Sequence, residues 1–153
     1  MDLTKLTTGD KVVSVSGLLL FVFGFLPWYG IEGFNFNAWD YFFVGVIPVL
    51  IGVVMVAQVL AARLGNADMP NVGSLTWGQI HLILGSIAAA LVVIKLIAGS
   101  SASTLVSSID LDRKYGIFLA AVAAIGLAVG GFLKMQEDKA GGGSTPPPAP
   151  PAA

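Results

Sequence analysis

The chain has no cysteine and one histidine, and only 11% of its 153 residues are charged. Without cysteine there are no disulfides, thiol nucleophiles, iron–sulfur ligation or cysteine-based zinc sites. The redox compartment stays open, because a cysteine-free chain fits either side of a membrane. One histidine and scattered carboxylates offer no ligand cluster, so neither a metal nor another cofactor is expected. The formal net charge is −1, and no basic stripe of the kind nucleic acid requires is present. Soluble domains carry about 25% charged residues. The low value here, with 56% hydrophobic residues and a mean hydropathy of +0.85, points to lipid as the solvent.

What the chain has instead is four long apolar runs, over 12–28, 41–62, 80–99 and 115–133. Each approaches the roughly 20 residues a helix needs to cross a hydrocarbon core. The expected fold is therefore all-α, a four-helix transmembrane bundle of two helical hairpins, with spans over 10–28, 40–63, 76–98 and 113–135. The first run is longer than a signal-peptide core, and it leads into Pro27, Trp28 and Tyr29 rather than a small-residue cleavage site. It reads as a retained span. Thr7, Thr8 and Asp10 offer oxygens to cap it, and Pro27 should end it near Leu26. Pro48 should kink the second helix. The membrane domain covers 1–139. Residues 140–153, a Gly/Ser piece and then a Pro/Ala run containing Pro147 and Pro150 at PxxP spacing, read as a disordered tail.

Four spans put both termini on one side. That side carries Lys5, Lys11, Arg63, Lys134 and Lys139, against Lys95, Arg113 and Lys114 on the other. The excess of basic residues favours both termini on the inner side of a multi-pass protein.

Ionisable groups inside spans are expensive and invite a functional hypothesis. Asp40 and Lys95 fall at similar depth toward the outer face and could pair. Alternatively, Asp40 caps its helix and Lys95 reaches the interface. Gln58 and His81 fall at similar depth near the inner face, where a hydrogen bond would join the helices. The alternative for His81 is a proton relay, which needs a titratable partner. Asp110 and Asp112, beside Arg113 and Lys114, read as a helix N-terminus and a solvated cluster rather than paired catalytic acids. No catalytic constellation is present, and a non-enzyme is expected.

Two surfaces suggest contacts. The stretch 25–43 holds nine aromatics. Trp28, Tyr29, Trp39 and Tyr41 suit an interfacial belt. Phe34 and Phe36 suggest an interface-lying hairpin or a partner surface. In the fourth helix Gly116, Ala120, Ala124 and Ala128 recur every four residues, and Gly126 and Gly130 form a GxxxG on another face. Gly85 and Ala89 repeat that spacing in the third. Such ridges serve close packing, either within the bundle or between copies.

Leu26-Pro27-Trp28 closing the first run, Asn37-Ala38-Trp39-Asp40 opening the second, and Tyr115-Gly116-Ile117 before an Ala/Gly-rich helix form one set of features. Together they resemble small four-span membrane proteins of actinobacteria. The resemblance covers 12–135 and implies a plasma-membrane protein with a cytoplasmic Pro/Ala tail. It implies no activity and no catalytic residues. The expected function is that of a non-enzymatic membrane accessory or structural subunit, with the lipid bilayer and a membrane protein as partners and no nucleic acid. The alternative is a small transporter or channel-like homo-oligomer.

Overall fold

A computed structural model describes residues 3–70, 72–103, 105–142 and 151. The chain forms four helices: α1 (Thr8–Phe23), α2 (Ile47–Arg63), α3 (Trp77–Ala98) and α4 (Tyr115–Gly142). Among the described residues, three segments are long and apolar enough to cross a membrane: Phe42–Arg63, Trp77–Ala98 and Tyr115–Ala140. The first helix is not among them. It has 16 residues, about 24 Å at 1.5 Å each, against a hydrocarbon thickness of about 30 Å. It stops at Phe23 rather than Leu26, and the chain turns through Gly24–Leu26 before Pro27.

The helices run up and down in chain order. Helix α4 packs chiefly on α3 and α1, and α2 packs on α1 and α3, so α2 and α4 lie diagonally. The small-residue ridges are consumed inside this ring. A Cβ at Gly126 would meet the Ser16 side chain on α1, and one at Gly130 would meet Val13. A Cβ at Gly85 would sit 2.7 Å from the backbone of Leu127. Ala120 and Ala124 are fully buried, and Gly116 lies against Leu26 and Pro27. Close backbone approach between helices needs such residues, and here the approach is intramolecular.

The fold is not strictly all-α. The α1–α2 and α3–α4 connections are ordered into a small antiparallel sheet, β2-β1-β4-β3, from β1 (Tyr29–Ile31), β2 (Phe34–Phe36), β3 (Ser100–Ser103) and β4 (Ser108–Arg113). The first hairpin turns on Glu32 and Gly33, at φ 40° and 87°, as a two-residue turn with both central residues left-handed requires. Strand β1 then pairs Tyr29 with Arg113 and Gly30 with Asp112. Asp110 and Asp112 are therefore strand residues, not the cap of α4, which begins at Tyr115.

The start of the second helix also differs from expectation. A 3-10 turn at Ala38–Asp40 is followed by a π-turn at Phe42–Val46, and regular helix begins at Ile47. Pro48 lacks an N–H, so it falls where the backbone is already out of α register rather than kinking a helix interior. The expected tail begins later than residue 140, because α4 continues to Gly142; Pro147 and Pro150 lie outside the described residues.

Candidate functional site

The polar chemistry gathers at the two ends of the bundle. At the end that holds the start of α1 and the end of α4, Thr7 caps α1. Its hydroxyl accepts from the Asp10 N–H at 3.2 Å, while Asp10 Oδ2 accepts from the Thr7 N–H. Asp10 does more than cap. It is fully buried, and Oδ2 also accepts from Arg63 Nε of α2 at 2.8 Å. Its other oxygen accepts from Lys134 Nζ of α4, whose side chain is only 8% exposed. One carboxylate thus ties three helices together, and burying it is tolerable only because two cations meet it.

The acids late in α4 complete the arrangement. Glu137 accepts from Thr7 Oγ1 at 2.6 Å and from the Gly9 N–H at 2.9 Å, and Asp138 accepts from the Gly78 N–H at 2.7 Å. Antiparallel packing brings the end of α4 to the starts of α1 and α3. Carboxylates there satisfy N–H groups that have no intrahelical partner and sit favourably in the N-terminal dipole field. Gly9 and Gly78 leave room for this. A Cβ at either would fall within 3 Å of α4.

His81 lies beside this cluster, 1% exposed. The Gln58–His81 hydrogen bond expected from their depths does not form: neither ring nitrogen nor Gln58 Oε1 has a hydrogen-bond partner among the described residues. Equal depth on neighbouring helices fixes a layer, not a facing direction. The charges acting on the His81 ring come instead from Lys134, Asp10 and Asp138.

At the sheet end of the bundle, the expected Asp40–Lys95 pair is likewise absent. Asp40 Oδ2 accepts from the Asn37 N–H at 2.8 Å, closing the 3-10 turn on itself. Lys95 turns onto the tyrosines. Its ammonium lies 4.1 Å from the Tyr41 ring centre and 5.1 Å from that of Tyr29, and it donates to the Gly99 carbonyl at 3.1 Å. Arg113 donates to the carbonyls of Leu96 and Ile97 at 2.6 and 2.9 Å. Two cations therefore serve the C-terminus of α3, where the dipole favours them.

Trp28 and Tyr29 are not belt residues, since both are fully buried beneath the sheet. Trp28 Nε1 donates to the Phe23 carbonyl at 3.0 Å, and Tyr29 Oη to the Lys95 carbonyl at 2.5 Å. Burial pushes the Tyr29 phenol up, so it remains a donor. Tyr29→Phe should lower bundle stability by about 1 kcal/mol, the usual net worth of one hydrogen bond, read as a lower unfolding midpoint in detergent by circular dichroism. An unchanged midpoint would show that the sheet is not pinned to α3 by this group.

The exposed aromatics are a partly different set. Phe34 is 72% exposed and Phe43 is 71% exposed, while Phe36 and Tyr41 are half-buried. Trp39 stands at the surface against Phe25 and Phe21, with ring centres 5.3 and 6.3 Å away. Phe25, Phe42 and Phe43 belong to the aromatic stretch 25–43 of the sequence, whereas Phe21 lies outside it and reads there as an ordinary span residue. The arrangement at both ends holds charges fixed and caps helix termini. His81 has no nucleophile in hydrogen-bond contact among the described residues. No protein family, curated protein or solved structure matches the chain.

Proposed function

We propose that the protein is a non-enzymatic integral membrane accessory or structural subunit that docks a membrane protein through its aromatic outer end. One observation carries this reading. At one end Asp10, Arg63, Lys134, Thr7, Glu137 and Asp138 are engaged with one another or with helix N–H groups, while Phe21, Phe25, Trp39, Phe34, Phe42 and Phe43 stand at least 37% exposed at the other. Aromatic side chains are enriched at protein interfaces, which favours a docking role for this cluster. The same reading takes α1 as a fourth, short span whose outer end is completed by the sheet. It places both termini on the cytoplasmic side of the plasma membrane, beside Lys5, Lys11, Arg63, Lys134 and Lys139. The approach of Thr7 to Glu137 supports a common side for the two ends. The likeness to small actinobacterial membrane proteins is compatible with this and adds no activity.

The test is isolation from native membranes in mild detergent. A partner protein should co-purify with the wild type. Phe34→Ala with Phe43→Ala should reduce its recovery about tenfold or more, as for loss of two interface anchors, with the unfolding midpoint unchanged. A protein recovered without any partner would sink the reading.

A second reading rests on a separate observation. His81 is buried without a hydrogen bond beside the Asp10–Lys134 pair, which supplies the titratable partners a relay requires. On this reading the protein is a small transporter or channel-like homo-oligomer. Flux in liposomes that survives His81→Ala unchanged would remove it.

A further inference from the structure

A groove of about 290 Å³ runs along the outside of the α1–α2 pair, lined by Gly17, Leu18, Phe21, Val56, Ala57 and Leu60, and its lining is almost wholly apolar. Its floor exists because Gly17 has no side chain: a Cβ there would strike Val56 and the Gly52 carbonyl. The inner mouth is basic. Lys11 is exposed and lies seven residues before Leu18, two helical turns along the same face. Arg63 ends α2, three residues after Leu60 and seven after Val56, again on one face. Its Nε is held by Asp10, yet its side chain remains 41% exposed. Arg63 can present further donors outward, because a guanidinium carries five N–H groups. The neighbouring charges are Lys11, Arg63 and Lys134 against Asp10, Glu137 and Asp138, which balance; but Asp10 is fully buried and Glu137 and Asp138 are bound to helix N–H groups, so the charges left facing outward are Lys11 and the free donors of Arg63.

An apolar slot that opens at the end of a helix onto two cations has the polarity of one ligand class, a hydrocarbon chain joined to an anionic head. We propose that this groove seats an acyl chain of an anionic phospholipid whose phosphate meets Lys11 and Arg63. The inference rests on the membrane-bundle reading but not on any partner protein. Charge complementarity favours lipid over a partner helix, since an apolar helix gains nothing from a basic mouth.

The experiment uses the full chain, after recovery in the membrane fraction has tested the membrane reading separately. Protein in nanodiscs of equal phosphatidylglycerol and phosphatidylcholine is released for native mass spectrometry. Wild type should retain one phosphatidylglycerol in clear preference to phosphatidylcholine. Lys11→Gln should weaken that preference about fivefold, the effect of removing one basic residue near an anionic head. Ala57→Phe, an exposed position in the groove wall, should abolish retention while circular dichroism and elution profile stay unchanged. Equal retention of both lipids overturns the proposal. So does phosphatidylglycerol retention that survives Ala57→Phe. Stabilisation by free glycerol phosphate as strong as that by the lipid would assign the basic mouth to a soluble anion and also overturn it. If Ala57→Phe instead abolishes partner recovery with lipid retention intact, the groove belongs to a partner helix.

Discussion

Asp10→Ala should be among the most damaging single substitutions in the chain, costing about 3–5 kcal/mol of bundle stability, the usual cost of breaking a buried ion pair from one side. The reason is what it leaves behind. Lys134 is buried with its ammonium on Asp10 Oδ1, and without that carboxylate a desolvated cation has lost its counter-ion. Arg63 loses a partner too, but its side chain is 41% exposed and water can replace the bond. Lys134→Met should cost less than Asp10→Ala, because Arg63 still meets the carboxylate and methionine fills most of the lysine stem's volume. The double variant should recover much of the loss, since it removes the buried charge with its partner. Reversible unfolding in mixed micelles reads all three. A double variant as unstable as Asp10→Ala alone would mean that the cost lies in the lost Thr7 capping box, not in the ion pair.

The importance of Asp10 was only half legible in the sequence. Its position after Thr7 announces a helix start, and the capping role is local, so it can be read from spacing. Its contacts with Arg63 and Lys134 are 53 and 124 residues distant in sequence, and nothing local encodes them. The same division holds elsewhere. Helix α3 and its Thr76–Gln79 capping box follow from nearby residues. The sheet does not, because its central pairing joins Tyr29 to Arg113 across helices α2 and α3. Gly33 signalled a turn, but only the approach of the two outer loops turns that signal into strands. Trp28 and Tyr29 looked interfacial because aromatics beside a span end usually are. Both are fully buried, and the carbonyls of Phe23 in α1 and Lys95 in α3 supply partners for their side-chain polar atoms, so burial wins. The Asp40–Lys95 and Gln58–His81 pairings failed for a common reason: depth follows from residue number along a helix, but facing depends on helix rotation. Rotation here is set by glycines packing against backbone.

Gly85→Val should separate α3 from α4 and cost about 3 kcal/mol or more, at or above the upper end for overpacking in a core. A Cβ at residue 85 would lie 2.7 Å from the carbonyl carbon and oxygen of Leu127 and 2.8 Å from the Ala128 nitrogen. All three are backbone atoms of a helix, so no rotamer change relieves the clash. The helices must move apart by about 1 Å to restore ordinary carbon contact distances. That movement opens the rest of the seam. Gly131 stands against the backbone of His81 and Leu82, and Gly78 against Lys134 and Met135, so both contacts loosen, along with the Gly78–Asp138 hydrogen bond. Gly126→Ala provides the contrast. Its obstacle is the Ser16 side chain, which Ser16→Gly removes, so the paired variant should regain most of the lost stability. No side-chain change on α4 can rescue Gly85→Val, because the obstacle is main chain. Unfolding midpoints of the two variants, with and without candidate second-site changes, test this. Gly85→Val within about 1 kcal/mol of wild type would show that α3 and α4 slide past one another, and that the charged cluster rather than the glycine seam sets their spacing.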